Sequence, residues 1–308
     1  MKLSIVIPFY QSAGSVAALY SKLKDVIAQM GEVDQHQIVM VEDRGRDHSW
    51  DLIKGLAALD TNIHAIRLSR NYGQHRAINA GLDLCDGDWI VVMDCDLQDD
   101  PYAILSLWAK AKEGYDVVNV RRQNRQDSFI KALRSKVYHS FFNWLSGMSH
   151  DHQVANYRIF NRKVLNAVRL MPEQCRILGI QLHWLGFPTA TIDFLHAPRH
   201  DGKSSYTIKK LLLLALDSAV SFSNKPLYIA VSLGSAISLF SMLVAGWFFA
   251  RQLIWRIPVT GWASLIISVW FLGGLILANM GVLGVYIGRI YDETKHRPLY
   301  AIAERVNC

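Results

Sequence analysis

Two long segments without a charged residue lie in the C-terminal third of the chain. They cover residues 227–250 and 261–288, and each is longer than the roughly 20 residues that a helix needs to cross a bilayer. Because only ten residues separate them, the pattern predicts a helical hairpin that spans a membrane twice. The alternative is a pair of buried helices in a soluble protein, which would need an unusually large core to cover such lengths.

Basic residues flank this predicted hairpin unequally. The two outer ends carry seven of them: Lys203, Lys209, Lys210, Lys225, Arg289, Lys295 and Arg297. The connecting loop carries two, Arg251 and Arg256. Since cytoplasmic loops are enriched in Lys and Arg, we expect an integral membrane protein with both termini in the cytosol. Glycines in the second segment favour close helix packing, either inside the hairpin or between copies of the chain in a homo-oligomer.

The N-terminal part of the chain alternates short strand patterns with longer helical ones. Runs rich in β-branched residues predict strands over 3–9, 37–42, 64–68, 89–94 and 116–120. Helical periodicity between them, as over 16–30 and 75–85, predicts crossover helices. Such alternation is typical of an open α/β fold with a mostly parallel sheet. The first strand is followed by neither a G-x-G-x-x-G motif nor a Walker lysine, which argues against the common dinucleotide-binding and P-loop functions.

The fourth predicted strand ends abruptly in carboxylates. Asp94 and Asp96 follow an apolar run that starts at Trp89, so we expect them at the carboxyl end of a buried strand, where open α/β sheets place their ligands. Two Asp separated by one residue lie on the same side of an extended segment and can share a divalent cation that holds a diphosphate. The simpler alternative is a solvated acidic turn before a helix, with Pro101 at its first position.

A second acidic cluster, Glu42, Asp43 and Asp47, follows the second predicted strand. Parallel strands open onto the same edge of a sheet, so the two clusters are expected to line one crevice. There a carboxylate can accept hydrogen bonds from a base or a ribose, while the other cluster holds a metal-bound diphosphate. The alternative for Asp47, or for Ser49, is a turn that caps the next helix.

The chain has a net charge of +7, and part of this excess is concentrated after the fifth predicted strand. Six cations lie there against one carboxylate, Asp127: Arg121, Arg122, Arg125, Lys131, Arg134 and Lys136. Because an aromatic-rich stretch over 137–145 suits a bilayer interface, an anionic lipid is favoured as the ligand over nucleic acid, which we do not expect as a partner. A solvated charged helix face is the other interpretation.

Residues 208–222 are apolar, but they are too short to span a bilayer. They predict either an in-plane interfacial helix or a core helix of the N-terminal domain.

Several motifs follow one another along the chain. They are Ser4-Ile-Val-Ile-Pro-Phe-Tyr10, Glu42-Asp43 through Asp47, Leu68-Ser-Arg-Asn-Tyr-Gly-Gln74, Met93-Asp-Cys-Asp-Leu-Gln-Asp-Asp-Pro101, Arg199-His-Asp-Gly-Lys-Ser-Ser-Tyr206 and Val285-Tyr-Ile-Gly-Arg-Ile-Tyr291. In this order they make nearly the whole chain resemble family-2 glycosyltransferases with a GT-A fold. Within that family the chain is similar to the membrane-anchored polyprenyl-phosphate glycosyltransferases, which include dolichyl-phosphate mannose synthases and bactoprenol glucosyltransferases.

The resemblance implies a protein of a bacterial inner membrane or its equivalent, organised in four parts. An α/β, GT-A-like cytosolic domain over 1–207 would be followed by a juxtamembrane interfacial helix over 208–225, two transmembrane helices within 226–289 and a cytosolic tail over 290–308. The implied reaction is the inverting, metal-dependent transfer of a sugar from a nucleotide-diphosphate sugar to undecaprenyl or dolichyl phosphate, for cell-envelope glycan or glycoconjugate synthesis. A phosphomonoester has a second pKa of about 6, so this acceptor is largely dianionic near neutral pH and needs no enzymatic base.

The resemblance also implies roles for individual residues. Pro8, Tyr10, Asp43 and Asp94 would bind the donor nucleotide. Asp94, Asp96 and Gln98 would bind Mg²⁺ or Mn²⁺ and would act with Asn156 in catalysis. Phosphate groups of the donor or the acceptor would be bound by Arg121, Arg125, Arg134, Ser135, Lys136, Arg199 and Lys203.

Two positions depart from the family pattern. Asn156 precedes Tyr157-Arg158 where the family has an Asp before its aromatic residue and Arg, so this position would orient a substrate rather than deprotonate it. Arg44 replaces the usual Gly after Asp43 and is expected to alter the choice of nucleotide. Two other functions stay open, namely transfer to a hydroxyl acceptor on a lipid-linked glycan or glycolipid, and a non-catalytic membrane scaffold.

Overall fold

The computed structural model describes residues 1–123, 154–195, 224–255 and 261–308. Contacts between residues divide the chain into two units. The first comprises Met1–Ser128, His150–Lys203 and Arg297–Cys308, and the second comprises Phe129–Ser149 and Ser204–His296. The extreme C-terminus therefore belongs to the same unit as the N-terminal half of the chain.

The first unit is built on a mixed, mostly parallel sheet. Its described strands are β1 (Lys2–Phe9), β2 (Gln35–Glu42), β3 (Ile63–Leu68), β4 (Trp89–Val92), β5 (Val117–Gln123), β6 (Val154–Asn161), β7 (Thr189–Leu195) and β8 (Ile302–Val306). They lie in the order β7-β5-β6-β4-β1-β2-β3-β8. β1 pairs in parallel with β2 and β4, as do β2 with β3 and β5 with β7, whereas β6 and β8 run antiparallel to their neighbours. This confirms the predicted α/β class.

Helices cover both faces of this sheet. They are α1 (Val16–Gln29), α2 (Ser49–Leu59), α3 (Gln74–Leu84), α4 (Ala103–Ala111), α5 (Arg162–Arg169) and α6 (Leu178–Leu185). On β1, Ile5 and Ile7 belong to a core shared with α1, α2 and α4, while Val6 belongs to a core shared with α3, α5 and α6. A strand buried on both faces has a nearly continuous apolar sequence, and this is why the central strands can be recognised from the sequence.

Each of the five predicted strands corresponds to a strand of the sheet, with ends that differ by up to three residues. β4 ends at Val92, two residues before the predicted end, so Asp94 lies in the loop that follows the strand. The sequence patterns do not reveal β6 or β7. In β6 the apolar residues are interrupted by Asn156 and by Arg158, a buried charge, so the sequence lacks the apolar run that would predict a strand.

The C-terminal residues differ from the expected tail over 290–308. The last helix continues through Thr294, and Ile302–Val306 forms β8 at the edge of the sheet, paired with β3. Exposed polar residues in the middle of β8 give it no apolar run, which is common for edge strands and explains why the sequence conceals it.

The second unit contains two long helices, α7 (Lys225–Trp255) and α8 (Trp262–Thr294). Each is a candidate membrane span by length and composition, over Leu227–Phe248 and Ser268–Thr294. None of the residues in either apolar window is buried inside the protein. This argues against the alternative of two core helices, since core helices are covered by other protein atoms. The predicted interfacial helix over 208–225 lies outside the described residues, except for its last two.

Candidate active site

The carboxyl ends of β1 and β4 flank the point where the strand order of the sheet reverses. From β1 the chain proceeds to β2 and β3 on one side, whereas β4 lies on the other side of β1. The Met93 N–H donates to the carbonyl of Val6 at 3.2 Å at the end of this pairing. Two residues further on, Pro8 has no N–H to continue it. The pairing of β1 with β4 therefore ends here. We call the region beyond these two strand ends the crevice, because open α/β sheets bind their ligands in a crevice at this position.

Asp94 and Asp96 emerge at this crevice, as the sequence predicts for the end of β4. Asp94 is partly buried and accepts a hydrogen bond of 2.5 Å from Nε2 of Gln74, the first residue of α3. Asp96 is exposed, and its Oδ1 accepts the backbone N–H of Gln98 at 3.1 Å. The N-terminus of α3 and the loop after β4 thus orient the two carboxylates.

Asp43 holds the loop between β3 and α3. It is 3% exposed, and its two carboxylate oxygens accept the backbone N–H groups of Tyr72 at 2.7 Å and Gly73 at 2.8 Å. Burial raises the pKa of Asp43 above its ordinary value, and the two N–H groups oppose this rise. Each oxygen retains a second acceptor direction, but the first role of this carboxylate is to fix the loop.

Asp47 joins the loops that follow β1 and β2. Its Oδ2 accepts the Ala13 N–H at 2.9 Å and the Ser49 hydroxyl at 2.6 Å, and the Ser49 hydroxyl oxygen accepts the Ser12 N–H at 3.1 Å. Burial raises the pKa of Asp47, but these hydrogen bonds outweigh burial and leave the pKa below its ordinary value. The Oδ1 of Asp47 also accepts the backbone N–H of Ser49, the first residue of α2, at 3.4 Å. Asp47 therefore connects the two loops and also forms the turn that begins the helix.

Three residues with a left-handed backbone lie on the loops around the crevice. Gln11 (φ 51°) follows β1, Arg44 (φ 55°) follows β2 and Leu97 (φ 59°) follows β4. Such a conformation favours glycine and costs free energy in other residues, and it is concentrated at functional sites in many proteins. The position of Arg44 explains why the family pattern has Gly there.

β6 brings Asn156 and Arg158 to the same edge. Arg158 lies opposite Val92, the last residue of β4, and Asn156 lies two residues further along β6 on the same face of the sheet. Arg158 is 3% exposed and donates through Nε to the carbonyl of Asn156 at 3.2 Å. Burial lowers the pKa of Arg158 to about 10, and the charge of Asp94 opposes this. Tyr157, on the opposite face, donates its hydroxyl to the carbonyl of Asp100 at 3.0 Å and so fixes the loop after Asp96.

The other predicted site residues have different surroundings. Pro8 is buried, whereas Tyr10 is 47% exposed immediately after β1. Arg121 on β5 donates through Nε to Asp193 on β7 at 2.7 Å, which already gives its guanidinium a carboxylate partner. The remaining predicted phosphate ligands lie outside the described residues: Arg125, Arg134, Ser135, Lys136, Arg199 and Lys203.

The donor set at the crevice fits a hard divalent cation. Among the described residues, no group of three His, Cys, Asp or Glu side chains gathers to hold a metal ion. Mg²⁺ is commonly bound by one or two carboxylates together with substrate phosphates and water, rather than by a cage of protein ligands. Asp94 and Asp96, with the amide oxygen of Gln98, suit that mode of binding.

Sequence comparisons identify relatives over nearly the whole chain. The sequence model of "Glycosyl transferase family 2" matches residues 4–169. The bactoprenol glucosyl transferase of Shigella phage SfV is 33% identical over 303 residues, which cover 98% of this chain and 98% of that protein. An uncharacterized glycosyltransferase of Synechocystis sp. is 33% identical over 305 residues, covering 99% and 95%. Among solved structures, glucosyl-3-phosphoglycerate synthase from Mycobacterium tuberculosis with UDP matches with a TM-score of 0.49 and 14% identity, covering 72% and 78%.

Proposed function

The chain belongs to glycosyl transferase family 2 and is a glycosyltransferase, and we propose that it transfers a sugar from a nucleotide-diphosphate sugar to a polyprenyl phosphate. The proposal includes the cytosolic face of a membrane as the place of reaction. It is supported by relatives named bactoprenol glucosyl transferases, whose similarity extends through both long apolar helices. An acceptor with a polyprenyl chain is dissolved in the bilayer, so its transferase benefits from a membrane anchor in the same chain.

One observation carries the proposal most directly. Asp94 and Asp96 lie at the switch point of the sheet, and hydrogen bonds to Gln74 and Gln98 orient them there. Carboxylates at this place suit a metal-bound diphosphate better than a structural turn, because the topology opens a crevice beside them. In this proposal Asp94, Asp96 and Gln98 would hold Mg²⁺ or Mn²⁺, and the bound ion would supply positive charge for the leaving diphosphate.

The nucleotide moiety is assigned to the side of the crevice next to β1 and β2. Tyr10 is exposed there and offers an aromatic face for a base. Asp43 fixes the neighbouring loop through Tyr72 and Gly73, and its remaining acceptor directions can receive a polar hydrogen from the base or the ribose. Pro8 is buried at the end of β1, and in this proposal it shapes the nucleoside pocket.

The proposed reaction needs little general acid or base catalysis by side chains of the protein. A phosphate oxygen of the acceptor attacks the anomeric carbon, the bond from this carbon to the diphosphate oxygen breaks, and the nucleoside diphosphate leaves with the electron pair. In-line attack inverts the configuration. Because the acceptor phosphate is already largely dianionic at neutral pH, Asn156 has no proton to remove. In this proposal the amide of Asn156, two residues beyond the end of the pairing with β4, instead orients the acceptor phosphate or the sugar through hydrogen bonds.

The product of the reaction provides the test. Membranes containing the protein would be incubated with a panel of nucleotide sugars and with undecaprenyl or dolichyl phosphate, and lipid extracts would be analysed by mass spectrometry. We expect a polyprenyl phosphate whose mass is increased by one sugar residue, with Asp96→Asn membranes as the negative control. A sugar found only on a hydroxyl group of a glycolipid or a lipid-linked glycan would contradict the proposed acceptor.

A further inference from the structure

The C-terminal strand β8 makes specific contacts with three other elements of the first unit. Its Glu304 accepts hydrogen bonds from Nε1 of Trp50 on α2 at 3.0 Å and from Arg67 on β3 at 3.3 Å. Next to the strand, the Tyr300 hydroxyl donates to Asp83 on α3 at 2.7 Å. At its other end, Nδ2 of Asn307 donates to the carbonyl of Ala57 at 2.7 Å. A disordered tail would show none of this.

A row of alternating charges leads from β8 to the loop after β2. Glu304 lies opposite Arg67, and Arg67 lies opposite Glu42. Arg67 Nε donates to Glu42 at 2.9 Å, and Glu42, which is 1% exposed, accepts the backbone N–H of Gly45. Arg67 therefore serves two carboxylates, one of which fixes the loop that begins at Asp43.

A second connection leads from β8 to the loop between β3 and α3. The N–H of Ser69 donates to the carbonyl of Ala301 at 2.8 Å, immediately before β8 begins. This is the loop whose Tyr72 and Gly73 are held by Asp43, and it ends at Gln74, which contacts Asp94. The C-terminal segment thus contacts the loop after β3 directly and is connected to the loop after β2 through Arg67 and Glu42.

We propose that Glu304 is a positioning residue for donor binding, and that β8 fixes the two loops over residues 43–48 and 69–73 in their binding geometry. The inference rests on the proposed function, because it assigns these loops to the nucleotide sugar. Glu304 acts through Arg67 and Trp50 and touches no substrate. Only seven residues separate α8 from β8, so the donor loops depend on a segment that is tethered directly to the second apolar helix.

The test uses the full-length protein in lipid nanodiscs. Glu304→Ala removes the acceptor of both hydrogen bonds, Glu304→Asp retains a carboxylate, and Arg305→Ala is the matched control on the neighbouring position of β8. For Glu304→Ala we expect the KM for the nucleotide sugar to rise by about fivefold, the upper end of what an ion pair with an exposed partner contributes, with partial rescue by Glu304→Asp. The KM for polyprenyl phosphate and kcat should not change, and Arg305→Ala should resemble wild type.

Hydrogen–deuterium exchange gives a second measure that does not depend on turnover. In Glu304→Ala we expect faster exchange over residues 69–74 and unchanged exchange over β1. An unchanged donor KM together with unchanged exchange over 69–74 would overturn the positioning role. A loss of activity that only follows the loss of folded protein, with no specific effect on the donor KM, would overturn it as well. If wild-type protein transfers no sugar from any donor, the proposed function fails; exchange over 69–74 then decides the positioning role by itself.

Discussion

The two sides of the crevice use the same residue type in opposite ways. Beside β2 and β3, Glu42 and Asp43 are almost completely buried and accept backbone N–H groups of the surrounding loops. Beside β4, Asp96 is exposed and Asp94 partly so, and a side-chain amide orients Asp94. The first role of the buried carboxylates is to hold the loops of the site, whereas the more exposed ones are open to a metal ion. Sequence position alone does not separate the two kinds.

The largest effect is expected when the charge of either accessible carboxylate, Asp94 or Asp96, is removed. Asp94→Asn and Asp96→Asn should each reduce kcat by roughly 100-fold or more, because the charge that develops on the leaving diphosphate loses its stabilisation. Asp86→Asn is the matched control, since this carboxylate lies at the opposite end of β4 and pairs with Lys2. Sugar transfer would be followed by product mass. Wild-type turnover in both crevice variants would show that the accessible carboxylates have no catalytic part.

Substitution of a buried carboxylate should chiefly lower the free energy of unfolding. Asp43→Asn retains the shape of the side chain but turns an NH₂ group toward one of the two backbone N–H groups that the carboxylate accepts. We expect a loss of about 1–3 kcal/mol in the free energy of unfolding, seen as a lower melting temperature in detergent. Asp96→Asn should melt like wild type. Equal melting temperatures for the two variants would remove the distinction between the two sides.

The loop after β2 allows a finer test. Arg44→Gly should raise the free energy of unfolding by about 0.5 kcal/mol, because relief of the left-handed strain exceeds the backbone entropy that Gly adds to the unfolded chain. Arg46→Gly is the control, because Arg46 is exposed on the same loop without a positive φ. If both variants lose stability to the same extent, Arg44 carries no strain.

The acid dependence of stability should differ between Asp43 and Asp47. The folded pKa of Asp47 is lowered, so its stabilisation is present above the ordinary Asp pKa and is lost as the pH falls. The folded pKa of Asp43 is raised, so its unfavourable contribution disappears as the pH falls through that pKa. Relative to wild type, Asp47→Asn should therefore lose less stability on acidification, and Asp43→Asn should lose more. Melting curves between neutral and acidic pH would show whether the two variants deviate in opposite directions.

The sequence predicts the parts of this molecule that follow from burial. Strands such as β1 and β4 are covered on both faces and have apolar runs, and α7 and α8 have the length of membrane spans. The Asp94 and Asp96 motif also lies at the strand end that its pattern predicts. These features are local, so a sequence reveals them directly.

The sequence does not predict the contacts that depend on distant segments. β8 reaches β3 from more than 200 residues away, and its exposed polar residues give no apolar signal. The buried Arg158 likewise hides β6, although it marks the strand that carries Asn156. The sequence also does not predict that Asp43 holds a loop. Its partners are backbone N–H groups, which leave no pattern in the sequence.

Binding of Mn²⁺ followed by electron paramagnetic resonance tests the central claim most directly, because it observes the metal itself. The full-length protein would be titrated with Mn²⁺, with and without a nucleoside diphosphate. If the accessible carboxylates bind a metal together with the donor diphosphate, wild type should take up Mn²⁺ much more tightly when the nucleotide is present. Asp96→Asn should lose this increase, and Asp86→Asn should retain it. Equal Mn²⁺ uptake by wild type and Asp96→Asn in the presence of nucleotide would contradict the account.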